Sequence, residues 1–216
     1  MTGSNRPRAW RVAGIGLLAL CLPAGILAEA LLDQESGARK SGPPVVEPLS
    51  VLDVEGQAVR PLESPAAKAV VLVFVRTDCP ISNRYAPEVR RLHERFADRG
   101  VDFWTVYTDP NESADTIRQH VREYGYPGRA VRDPGHALVK AAAARVTPEA
   151  AVFVPAAGGP RLVYHGRIDD RYVDFGRMRA APANHDLEDA LEALIAGRPA
   201  PRETAPAVGC FLSDPP

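Results

Sequence analysis

The sequence predicts an α/β protein with a central mixed β-sheet flanked by helices. Three observations predict it. The run "AVVLVFV", Ala69 to Val75, is continuously apolar and rich in valine, the pattern of a strand buried on both faces. From Ser82 to Arg99 the apolar residues Tyr85, Val89, Leu92 and Phe96 share one helical face, and Gly100 closes the segment. A second strand, "VDFWTVYTD", follows, so the first crossover sets two parallel strands side by side.

The remaining elements follow in order. "LSVLDVEGQAV" alternates and turns at Gly56, as a short hairpin does. Asn111 or Ser113 caps a helix carrying Ile117, Val121 and Tyr124. A helix is expected from His136 to Val146. "AAVFVP", a Gly158-Gly159 turn and "RLVYHGRI" read as a β-hairpin. "NHDLEDALEALIAG" is the last helix, with Asn184 or His185 near its start and Gly197 as its stop.

Composition bounds the function. The chain has 216 residues, 45% apolar, with 21 prolines and 17 glycines, enough for one domain with a sizeable core and many loops. A net charge of −1 argues against nucleic acid as a partner, because phosphate binding needs a basic face. Arg6, Arg8 and Arg11 precede the uncharged run Val12 to Ala28, and "AEA", Ala28 to Ala30, has the small-x-small pattern of a cleavage site. This layout predicts export to the periplasm or another extracytoplasmic space. Retention of the segment as a membrane anchor is the alternative. Removing residues 1–30 drops three arginines and one glutamate and moves the net charge from −1 to −3. The expected organisation is a targeting segment or anchor at 1–30, a linker at 31–47, a domain at 48–198 and a flexible tail at 199–216.

Export leaves two cysteines, Cys79 and Cys210, in an oxidising compartment. Cys79 falls between the apolar strand and the first helix. There the free N–H groups and the positive end of the helix dipole favour a thiolate over a thiol. An inert buried thiol is the bland reading of the same position. Cys210 is read as a resolving thiol, as part of a static or intermolecular disulfide, or as a residue with no redox role. His93 and His120 sit among charged residues and read as solvated. His136 in "DPGH" reads as first-turn. The charge-dense "GRIDDRY", with Arg167, Asp169, Asp170 and Arg171, reads as a solvated hairpin end, with a contact surface for a partner as the alternative.

"CPIS" has the form Cys-x-x-Cys with Ser82 in place of the second cysteine. Pro87 lies eight residues after Cys79, and Thr147-Pro148 opens a strand in "VTPEAAVFV". Together these resemble the thioredoxin-like superfamily over Leu49 to Gly197. "TDCPISNRYAPE", "YHGRIDDRY" and "TAPAVGCFL" are similar to segments of exported redoxins in the alkyl hydroperoxide reductase/thiol-specific antioxidant (peroxiredoxin-like) branch. The resemblance implies a thioredoxin-like fold, a nucleophilic Cys79 and a cis Thr147-Pro148 peptide beside it. It implies an oxidoreductase with no cofactor, a peroxide or a protein or small-molecule disulfide as substrate, and an external thiol as reductant.

The departures are informative. Ser82 cannot form a disulfide, although its hydroxyl can hydrogen-bond the Cys79 thiolate. The peroxiredoxin pattern Pro-x-x-x-Thr-x-x-Cys is broken: Arg76 stands three residues before Cys79, the threonine is Thr77, and the upstream proline is missing. Two other classes stay open. One is a copper- or zinc-handling module using Cys79 and a histidine. The other is a non-catalytic redoxin scaffold.

Overall fold

Residues 49–201 and 205–212 are described by the computed structural model of the chain; the expected targeting segment and linker lie outside them. The strands are β1 (Val51–Asp53), β2 (Ala58–Val59), β3 (Ala69–Val75), β4 (Val101–Tyr107), β5 (Arg129–Arg132), β6 (Val146–Thr147), β7 (Glu149–Val154), β8 (Arg161–Gly166), β9 (Tyr172–Asp174), β10 (Arg177–Met178) and β11 (Cys210–Phe211). The helices are α1 (Pro80–Phe96), α2 (Ala114–Tyr124), α3 (Ala137–Ala142) and α4 (Asp186–Ile195).

One sheet of seven strands runs in the order β2-β1-β5-β4-β3-β7-β8. β3 pairs parallel with β4 and β4 with β5, whereas β1, β2, β7 and β8 join antiparallel. The sheet is therefore mixed, as expected. Every residue of β3 is buried because side chains leave a strand on alternate faces and both faces are covered. Ala69, Val71, Val73 and Val75 pack in one cluster with residues of α1, α2 and α4. Val70, Leu72 and Phe74 pack in the other, with Trp104, Val106 and the α3 residues Leu138 and Val139.

The helix boundaries follow local chemistry. Ser113 caps α2, its hydroxyl accepting from the Thr116 N–H at 3.1 Å. Gly100 takes the left-handed conformation that ends the short 3-10 turn after α1. Pro87 lies inside α1.

Several expectations are corrected. The third helix ends at Ala142, short of Val146, where Ala143 turns left-handed. His136 precedes that helix as its N-cap and is buried, its Nε2 sharing a hydrogen bond with the Thr108 carbonyl. Strand β5, which gives β4 a second parallel partner beside β3, is not among the elements expected from the sequence. "GRIDDRY" is not a solvated hairpin end: Asp169 and Asp170 are only 2% and 3% exposed. Asp170 accepts from the backbone N–H groups of Ala183 and Asn184 and from the Asn184 side chain, tying the β9-β10 hairpin region to the entry of α4. The Asn184 backbone N–H is the main reason that the Asp170 carboxyl is pulled down to about 2. The tail was expected to be flexible. Instead, within residues 205–212, β11 pairs antiparallel with β6, placing Cys210 opposite Thr147 and Phe211 opposite Val146. Among the described residues no helix is long and apolar enough to cross a membrane.

Candidate active site

The site is built where β3 ends. A turn follows that strand, closed by a hydrogen bond from the Cys79 N–H to the Arg76 carbonyl at 3.3 Å. Cys79 is then the N-cap of α1, and its sulfur accepts from the Ser82 N–H at 3.5 Å. Pro80 at the first helical position has no N–H to leave unsatisfied, so it suits this start. Cys79 is 0% exposed.

The Thr147-Pro148 peptide is cis. It brings the Thr147 carbonyl within 3.1 Å of the Cys79 sulfur, which donates to it when protonated. β11 lies on the same segment. Its Cys210 side chain lies beside Cys79, close enough for each sulfur to shift the other's titration. Arg76 holds the end of the tail by donating to the Phe211 carbonyl at 3.3 Å. The structure thus brings together all five residues singled out from sequence: Cys79, Ser82, Thr147, Pro148 and Cys210. Both cysteines are free thiols.

Electrostatics divides the two sulfurs. Burial pushes the Cys79 pKa upward, but it is outweighed by the polar groups close to the sulfur: Cys210, the Ser82 hydroxyl and N–H, and the Thr147 hydroxyl. The net position is below the ordinary cysteine value. The Ser82 and Thr147 hydroxyls make no hydrogen bond among the described residues, yet both lie close enough to the sulfur to favour the thiolate. Cys210 moves the other way. Burial, then the hydrogen bond it gives to Cys79 and the charge there, push it up to about 12. Of the two sulfurs, Cys79 is therefore the more easily deprotonated and Cys210 the less. Arg76 and Asp78, which sequence could not orient, pair with each other at 2.9 Å, and Arg76 also meets Asp109 at 3.2 Å.

A polar network behind the turn was missed. His120, read as solvated, is 5% exposed. Asn83 donates through Nδ2 to the Thr77 carbonyl at 3.2 Å, so its Oδ1 faces His120 Nε2 at 2.8 Å as an acceptor. That assigns the proton to Nε2 and leaves Nδ1 to accept from the Tyr107 hydroxyl at 2.9 Å. The spacing of Ile117 and Tyr124 on α2 already placed His120 near the buried face, and this was the available signal. Burial lowers the His120 pKa, so the folded protein resists a proton that the unfolded chain accepts near pH 6.5. Stability therefore falls as pH drops below about 6.5. The advantage of the wild type over His120→Gln is expected to shrink between about pH 7 and 5, as read by urea unfolding at each pH.

Among the described residues, three potential metal ligands lie within reach of one another at Glu88, His185 and Glu188. Neither cysteine belongs to this group. Arg91 forms ion pairs with both Glu88 and Glu188, which occupies those carboxylates.

A buried thiol at a strand-to-helix junction, opposite a cis-proline on a mixed sheet, defines a thioredoxin-like redoxin. The chain belongs to the AhpC/TSA family, whose sequence profile matches residues 45–159, more than half of its length. It is 30% identical over 96 residues to the thiol-disulfide oxidoreductase ResA of Halalkalibacterium halodurans, covering 44% of this chain. It spans about half, 53%, of that relative's length. In fold it is similar to an uncharacterized conserved protein from Geobacillus kaustophilus: TM-score 0.67 at 27% identity, over 81% of this chain and 92% of that one. A hypothetical protein from Sinorhizobium meliloti 1021 has a TM-score of 0.61 at 23% identity, over 79% of this chain and 92% of the other.

Proposed function

We propose that the protein is an exported thiol-disulfide oxidoreductase in which Cys79 attacks and Cys210 resolves. The placement of Cys210 on β11, opposite the Thr147 whose carbonyl meets the Cys79 sulfur, carries this reading. The Cys79 thiolate attacks a substrate disulfide R–S–S–R′; a new S–S bond joins Cys79 to R, and R′ leaves as a thiolate. The negative charge on Cys79 is then gone, and with it two of the influences that held the Cys210 proton. That proton passes to the departing R′ sulfur. The Cys210 thiolate attacks Cys79, a Cys79–Cys210 disulfide forms, and R leaves as a thiolate that takes a proton from water. The substrate is reduced by two electrons and the protein is oxidised by two. An external thiol returns the protein to its reduced state.

A peroxide enters the same cycle through a Cys79 sulfenic acid, which Cys210 converts to the same disulfide with release of water. The name of the ResA relative supports disulfide exchange, and the broken peroxiredoxin pattern around Arg76 and Thr77 does not support peroxide. Intact-mass spectrometry of the protein treated with a model disulfide, with and without reductant, tests the proposal. The expected product is 2 Da lighter than the reduced chain, about the mass of two hydrogens lost in one disulfide, and it maps to Cys79 and Cys210. An unchanged mass, or mixed disulfides that persist on Cys79 in the wild type, would remove Cys210 from the mechanism. The same spectra read the mature N-terminus, expected after Ala30.

A further inference from the structure

The turn that presents Cys79 is held by a carboxyl group that the exchange cycle does not use. Thr77 lies in the middle of this turn. Its N–H donates to Glu112 Oε1 at 2.6 Å, and its carbonyl accepts from Asn83 Nδ2 at 3.2 Å. The peptide groups flanking Thr77 are therefore clamped from both sides, from the loop after β4 and from α1. Glu112 is 8% exposed, and its Oε2 is buried with no hydrogen-bond partner among the described residues. A half-satisfied buried carboxyl is costly as an anion, so a position like this calls for a reason beyond holding one N–H group.

We propose that Glu112 is a positioning residue of the thiol site, which fixes the Arg76–Cys79 turn through Thr77 and tunes Cys79 by the charge it carries. The proposal rests on the reading of Cys79 as the nucleophile. The groups facing Glu112 define its response to pH. Burial raises its pKa first of all; the Thr77 contact opposes this, and the charges of Asp109 and Asp78 add to it. Tyr107 on β4 feels the Glu112 charge in turn. Arg76 is taken up by Asp78 and Asp109, and Arg132 on β5 donates to the Glu112 backbone carbonyl at 3.1 Å rather than to its carboxyl. No cation is therefore paired with the Glu112 carboxyl among these neighbours. When the carboxyl ionises it adds a third negative charge beside the turn and disfavours the Cys79 thiolate.

Two substitutions separate the clamp from the charge. Glu112→Gln keeps an oxygen for the Thr77 N–H and cannot ionise. Glu112→Ala loses both. The rate of Cys79 alkylation by iodoacetamide is measured against pH in full-length wild type and in each variant, with Cys210→Ser as the common background so that one thiol of the folded domain reports. The Gln variant should reach half-maximal rate at lower pH than the wild type, by about 0.5 unit, or threefold in thiolate fraction below the midpoint, the scale of one like charge at a partly screened distance. The Ala variant should lie at higher pH than the Gln variant, because a loosened turn weakens the Ser82 contact to the sulfur. Wild type and Gln profiles that superimpose would overturn the role of the charge. Gln and Ala profiles that superimpose would overturn the clamp. A wild-type Cys79 that alkylates no faster than an ordinary thiol would overturn the nucleophile reading itself, and this inference with it.

Discussion

Cys79→Ser is expected to reduce disulfide exchange to the uncatalysed background, and Cys210→Ser to stall it after one step. The first result follows from chemistry. A serine hydroxyl forms no disulfide, and at neutral pH it carries no anion comparable to a thiolate whose pKa is held below its ordinary value. The second follows from geometry. In the proposed cycle resolution is an intramolecular reaction between neighbouring groups, for which effective molarities reach about 10⁵ M or more. An external thiol at millimolar concentration replaces it poorly. Turnover by Cys210→Ser should drop at least about a hundredfold, and the missing flux should appear as a mixed disulfide on Cys79. Mass spectrometry of quenched reactions checks this. Equal turnover in wild type and Cys210→Ser would assign resolution to an outside molecule.

The sequence made the centre of the fold readable because its signals there are redundant. "AVVLVFV" can be only a strand buried on both faces, and the helix after Cys79 carries both its apolar face and its glycine stop. The places of Cys79, Ser82 and Thr147-Pro148 were readable for a similar reason, since they stand at fixed positions relative to those elements. What stayed hidden depends on contacts distant in sequence. β5 is only four residues, "RAVR", and its burial pattern comes from its place between β1 and β4 rather than from its composition. Asp169 and Asp170 look solvated in a charged string, and are buried because the backbone at Ala183 and Asn184 folds back to donate to Asp170. The tail, rich in proline and alanine, has no strand signal of its own. It becomes a strand by pairing with β6, 63 residues upstream when Cys210 is measured from its partner Thr147. Glu112 in "TDPNES" reads as loop, and only the fold reveals that its carboxyl reaches Thr77.

Gly209→Ala is the substitution expected to separate the two thiols without removing either. An added Cβ at this position would lie 2.2 Å from the Thr147 carbonyl oxygen and 2.7 Å from its carbon. Both atoms are backbone, and they belong to the cis-peptide segment that also receives the Cys79 thiol, so neither can yield cheaply. The tail must shift instead. Among the described residues β11 pairs through two residues, and a hydrogen bond from Arg76 to the Phe211 carbonyl and the partly buried Val208 and Leu212 are its other anchors. Once undocked, Cys210 is a tethered thiol whose effective concentration is in the millimolar range, against about 10⁵ M for an aligned pair. Closure of the Cys79–Cys210 disulfide should slow by at least about a hundredfold. Cys79 would also lose the neighbour that does most to hold its pKa down, so its alkylation profile should move to higher pH. The domain itself should lose little stability, because β11 is not part of the seven-stranded sheet and the tail adds only the partly buried Val208, Cys210 and Leu212 to the edges of its two cores. Stopped-flow oxidation and urea unfolding of the same preparation check both halves. Unchanged closure kinetics in Gly209→Ala would mean that docking of the tail on β6 contributes nothing to resolution, and the sulfur pair would then meet by tail diffusion alone.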